Sequence, residues 1–121
     1  MDTRTKIVSA AGAPRGCTVV TGTFDVVQAE DARELGEIRA GAPDRPLLVV
    51  VLPLEEELLA QRARRELVAA LRVVDYVVAA GDSEASAVLT RIDPALLVRL
   101  EAAHAERRRK LIEQVRKGQA G

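Results

Sequence analysis

Apolar runs of four to six residues, each followed by a segment with helical spacing, set the rhythm of this chain. The first run, Cys17 to Thr21, is rich in β-branched residues and closed by Gly22, which reads as a buried strand. Gln28 to Ala40 carries Ala32, Leu35 and Ile38 at helical spacing, and Gly41-Ala42-Pro43 ends that helix. Pro46 then opens Leu47 to Leu52, a run with no polar alternation. A strand apolar on both sides is covered on both sides, as in a parallel sheet between helix layers. Pro53 starts a second helix that runs to about Val73, with Glu55, Glu56 and Glu57 at the positive end of its dipole. Leu59, Ala63, Leu67, Ala70, Leu71 and Val74 form its apolar stripe, and Arg62, Arg64 and Arg65 a solvated, salt-bridged face.

Tyr76 to Ala80 is a third strand, and Ser83 or Asp82 caps a helix over Glu84 to Arg91. Asp93-Pro94 marks a turn, Ala95 to Val98 a fourth strand, and Leu100 to Lys117 a last helix. Leu100, His104, Leu111, Ile112 and Val115 lie along one side of that helix. Residues 1–16 have little pattern and read as an N-terminal arm, with at most a short strand or turn near Ile7-Val8. Residues 17–121 then form one domain. Regular alternation without an Asn-Gly hairpin predicts an α/β fold: a Rossmann-like parallel sheet with helices on both faces. Cys17–Thr21 and Leu47–Leu52 are its expected central strands.

Composition sharpens this picture in a few places. Apolar residues are 48% of the chain, but there is one Phe and one Tyr, so the core must be aliphatic. Eighteen basic and eighteen acidic residues cancel, leaving no global field to draw the chain to nucleic acid or an acidic membrane. Arg107-Arg108-Arg109-Lys110 is a candidate basic site, but four consecutive residues wrap around a helix instead of forming one face. The single Cys17 sits in an apolar run and reads as a buried, inert thiol. With no internal disulfide, no leader and no apolar stretch of roughly 20 residues, the expectation is a soluble, cytoplasmic protein that engages neither membrane nor nucleic acid.

The segment Val19-Val20-Thr21-Gly22-Thr23-Phe24-Asp25-Val26-Val27-Gln28-Ala29-Glu30-Asp31 resembles the first strand-loop-helix of the nucleotidyltransferases with a His-x-Gly-His signature. It is most similar to the branch acting on heptose phosphates and glycerol phosphate, which reads Gly-x-Phe-Asp, two apolar residues, then His-Ala-Gly-His. Ala70-Leu71-Arg72-Val73-Val74-Asp75-Tyr76-Val77-Val78, with Arg64 at the spacing of the family arginine, resembles a later patch. Ile92-Asp93-Pro94-Ala95-Leu96-Leu97-Val98 resembles another. The likeness spans roughly residues 17 to 99.

The resemblance implies a nucleotide site at the strand-to-helix crossing, formed by Thr21, Gly22, Thr23, Phe24, Gln28 and Asp31. Ligands of open α/β sheets bind at such crossings. The signature positions, however, read Gln28, Ala29, Glu30 and Asp31. Asp31 brings negative charge toward a polyphosphate, the loop Pro53-Leu54 is short and lacks the family lysine, and the late Ser/Thr-rich motif is missing. Losing a single preorganised donor typically costs about 100- to 1000-fold in rate. No paired acid and base, nucleophile or metal cluster replaces these groups. The expectation is a degenerate member that binds a nucleotide or a partner without catalysis, and that forms a homodimer. The alternative is an active enzyme with a rewired site, using CTP or ATP with magnesium and a sugar or polyol phosphate. For Gly22 two roles stand open, close approach of backbone to phosphate and a simple turn; Phe24 reads as core, and His104 as a packed or rim histidine.

Overall fold

The structure is a computed structural model and describes residues 2–25, 27, 29–54, 60–80 and 85–120, the side chains of residues 85, 119 and 120 excepted. Four strands form one sheet: β1 (Thr18–Gly22), β2 (Leu47–Val51), β3 (Tyr76–Ala79) and β4 (Leu96–Arg99). Their order is β3-β2-β1-β4 and every pairing is parallel. The two strands buried at every position, β1 and β2, are central as their composition requires. β4 stands at an edge, half exposed, with Leu96 44% accessible.

The helices are α1 (Ala29–Gly41), α2 (Gln61–Ala69), α3 (Ala85–Ile92) and α4 (Glu101–Ala120). Strand alternation splits the core in two. Val20, Val49, Val51 and Val77 meet Leu35 of α1 and Val68 and Ala69 of α2 on one face. Val19, Leu48, Val50 and Val78 meet Val88 and Ile92 of α3 on the other. The N-terminal arm makes two short 3-10 turns, Thr3–Lys6 and Ala10–Gly12. Between them Ile7 bridges to Val77 in parallel, and the Val8 amide donates to the Val77 carbonyl at 2.9 Å. The arm thereby pairs the β3 edge, which would otherwise offer open backbone groups.

Two expectations need correction. The second helix runs from Gln61 to Ala69, not from Pro53 to near Val73: Pro53 and Leu54 are not helical, and two successive turns, Leu71 to Val68 and Val74 to Leu71, lead into β3. Its buried face is also rotated from the apolar stripe. Leu67 is 43% exposed and Ala70 exposed, whereas Arg64 is fully buried. The cause is polar: Arg64 Nη1 donates to the Thr23 and Leu52 carbonyls, both at 2.7 Å, tying together the chain ends beyond β1 and β2. Gln61 does the same for β2 and β3, donating to Val51 and Ala80 carbonyls at 3.1 and 2.9 Å. Glu55, Glu56, Glu57, Leu59 and the cap residues Asp82 and Ser83 lie outside the described residues.

Candidate functional site

The strand order reverses its direction of growth between β1 and β4. At such a switch point the loops after neighbouring strands part and leave a crevice at the carboxyl ends. Here the crevice is walled by the Thr23–Asp25 loop, the start of α1 and the first turns of α4. Thr21, Gly22, Thr23, Phe24 and Asp31 all meet there; Gln28 lies outside the described residues.

His104 enters the crevice from α4 and is 7% exposed. Its Nδ1 accepts from the amides of Thr23 (3.2 Å) and Phe24 (3.4 Å). Both amides are thereby satisfied from within the chain. Phe24 holds the left-handed conformation (φ 49°) although it carries a bulky side chain, a strained arrangement that persists only where packing enforces it. Its ring is buried and meets the imidazole edge-on, with centroids 4.4 Å apart and planes at 63°. Gly22 completes the fit: a Cβ there would stand 2.5 Å from His104 Cε1, 2.7 Å from Nδ1 and 2.8 Å from Phe24 Cε2. The missing side chain of Gly22 thus makes room for the protein's own imidazole.

Charge surrounds this plug. Asp31, 3% exposed, lies 3.2 Å from His104 Nε2 and accepts from Arg107 Nη1 at 2.7 Å. Arg107 Nη2 donates to Glu34 at 2.8 Å, and Glu30 is 3.7 Å from its Nε. The hydrogen bond to Glu34, followed by the fields of Glu34, Asp31 and Glu30, holds the Arg107 guanidinium above its ordinary range, against some desolvation. Arg108 Nε donates to the buried Asp25 at 2.8 Å. Thr21 Oγ1 donates to Glu101 at 2.8 Å. The cavity left among Phe24, Asp25, Asp31, His104, Arg107 and Arg108 is ≈ 20 Å³, about enough for one water.

Donor atoms of Asp31, Glu34 and His104 lie within 4.8 Å of one another, a composition that suits a divalent ion. The arrangement does not. Arg107 bridges the two carboxylates, and an Nδ1 that accepts from two amides leaves the ring proton on Nε2, the nitrogen facing them.

The chain pattern located the crevice but not its filling. His104 reads in the sequence as a packed or rim histidine, and it is packed, but that reading does not name its partners. The signal that could have found them is charge spacing: His104, Arg107 and Arg108 share one side of α4, and Glu30, Asp31 and Glu34 share one side of α1. The basic run also divides. Arg107 and Arg108 turn inward to acids, while Arg109 pairs with Glu106 and Glu113 on its own helix, each at 2.6 Å. Among the described residues no helix is long and apolar enough to cross a membrane. No protein-family model matches this chain, and no curated protein matches it either.

Proposed function

We propose that this chain is a non-catalytic member of the nucleotidyltransferase-like fold, acting by binding a partner or nucleotide instead of transferring a nucleotidyl group. The observation that carries the reading is His104, seated on the Thr23 and Phe24 amides where a ligand phosphate would otherwise be held. Charge supports it. Within the crevice Asp25, Asp31 and Glu34 face Arg107 and Arg108, so no surplus of positive charge awaits a polyphosphate. A cavity of ≈ 20 Å³ is far below the roughly 300 Å³ of a small-ligand pocket. Partner binding is therefore the stronger half of the proposal, and a second copy of the chain is the partner favoured by the apolar positions of α4.

Isothermal titration with CTP and with ATP, with and without magnesium, tests this reading. Partner binding, the stronger half, predicts no nucleotide binding at micromolar concentration, whereas the nucleotide half predicts saturable binding; both predict no pyrophosphate release with glycerol 3-phosphate or a heptose 1-phosphate. Release at an ordinary enzyme rate of about 1 to 1000 per second would overturn it in favour of an active nucleotidyltransferase with a rewired site.

A further inference from the structure

A second concave region lies at the opposite end of the sheet, with a volume of ≈ 450 Å³. That is within the roughly 300–1,000 Å³ of small-ligand pockets. Thr5 and Lys6 of the arm, Arg39 of α1, the Pro43–Pro46 loop, and Asp75 and Tyr76 at the start of β3 line it. Its walls are fixed by their own bonds. Asp75 pairs with Arg39 and accepts from the Leu47 amide at 2.8 Å. Lys6 Nζ donates to the Leu71 carbonyl at 3.1 Å, and the Arg45 amide donates to the Ala42 carbonyl at 3.2 Å.

Charge is unbalanced here. Lys6, Arg39 and Arg45 stand against Asp44 and Asp75, and Asp75 is already engaged by Arg39 and a backbone amide. Lys6 retains two of its three ammonium donors. The Arg45 guanidinium has no hydrogen bond or ion pair among the described residues. Its fork suits two oxygens of one oxyanion. Pro43, Pro46 and Tyr76 also line the region beside these donors.

We propose that this cavity binds a small oxyanion carried on a planar ring, with the anion on Lys6 and Arg45 and the ring against Tyr76 and the two prolines. The site is distinct from the crevice that His104 fills and does not depend on what that crevice does.

A two-dimensional NMR titration of the full chain with phenyl phosphate tests it, with benzoate, inorganic phosphate and phenol as parallel probes. Saturable shifts are expected at the amides of Lys6, Arg45 and Tyr76, with those of Thr23 and Phe24 unmoved. Whichever of phenyl phosphate and benzoate binds tighter identifies the oxyanion; inorganic phosphate and phenol should each bind more weakly than that one. Lys6→Ala combined with Arg45→Ala should weaken binding by roughly tenfold or more, since two charge-assisted donors are lost. Absence of saturable shifts, shifts centred on Thr23 and Phe24, equal affinity for inorganic phosphate, or unchanged affinity in the double variant would each overturn the proposal.

Discussion

At the scale of single residues, Gly22 has the tightest surroundings of the described glycines, against His104 and Phe24. A methyl group at position 22 meets the imidazole at 2.5 Å, so Gly22→Ala should cost about 1–3 kcal/mol by overpacking. His104→Ala should cost a similar amount, about 1–3 kcal/mol, because the Thr23 and Phe24 amides lose their buried acceptor. The two changes share one space, so the double variant should be less destabilised than the sum. Rescue stays partial, because Phe24 Cε2 still lies 2.8 Å from the new methyl group. Urea unfolding of the four proteins measures this; strict additivity would mean that the imidazole does not occupy that space. Cys17 offers a second test. It is fully buried, its thiol donates to the Pro14 carbonyl at 3.3 Å, and desolvation, then the Asp75 charge, pushes its pKa up. A raised thiol pKa means the folded state holds the proton more tightly. The resulting stability is fully present below the unfolded thiol's value of about 8.5 and is lost as pH rises from there through the folded value. Alkylation of Cys17 should therefore proceed only at the rate of unfolding, even at alkaline pH; fast labelling of the native protein would contradict its burial.

At the scale of elements, two kinds of attachment coexist. The central strands are held by apolar burial on both faces. Val50 is fully buried against Val78 and its neighbours, so Val50→Asp should cost several kcal/mol, since the carboxylate meets neither water nor a partner. Circular dichroism of the purified variant would show whether the fold survives. α4 is attached differently, through Arg107 to Asp31 and Glu34, Arg108 to Asp25, and His104 to two amides. The Asp25 and Asp31 side chains of these pairs are each only 3% exposed, and pairs so buried are screened by salt much less than exposed ones. Hydrogen exchange at the Thr23 and Phe24 amides should therefore quicken in the Arg107→Ala variant, while that of the Val20 amide in β1 does not; equal protection in both proteins would show that apolar contact holds α4. This contrast also explains what the sequence could reveal. Strand runs such as Leu47–Val51 are apolar at every position, and turns are marked by Gly41, Pro43, Pro46, Asp93 and Pro94, so the parallel sheet and its central pair were legible within a residue or so. The exposure of Leu67 and burial of Arg64 were not, because a guanidinium that serves two carbonyls overrides an apolar stripe. The crevice residues of β1 were legible as a group. Their occupant was not, since it arrives from a helix about 80 residues away in the chain and one sequence carries no sign of which distant charges meet.

At the scale of the whole molecule, the unresolved demand is the outer half of α4. Its inward contacts run from Glu101 to Leu111, yet the helix continues to Ala120. Leu111, at the crevice rim, and Ile112 beyond it are only half buried, and Val115 is 53% exposed. On the opposite side Glu106, Arg109 and Glu113 form a solvated ladder of ion pairs, so the helix has one wet side and one side with apolar positions left over. Each 100 Å² of apolar surface removed from water is worth roughly 2.5 kcal/mol. A symmetric pair removes each such patch twice, because the same surface serves both copies. That gain must exceed the loss of translational and rotational freedom on association, about 4–15 kcal/mol, so α4 needs its neighbours at the interface. The half-exposed edge strand β4, with Leu96 44% accessible, offers further apolar surface. The expected outcome is a homodimer at micromolar concentration in sedimentation equilibrium, with Ile112→Glu combined with Val115→Glu shifting it to monomer. Both positions lie outside the crevice, so the paired change should leave the thermal unfolding of the monomer nearly unaltered, within about 0.5 kcal/mol for Val115 as a surface site. A clean monomer of 13.0 kDa for the unaltered chain would defeat the dimer, as would a dimer that survives both glutamates. If the glutamates instead unfold the chain, Ile112 and Val115 serve the protomer's own packing and the interface lies elsewhere.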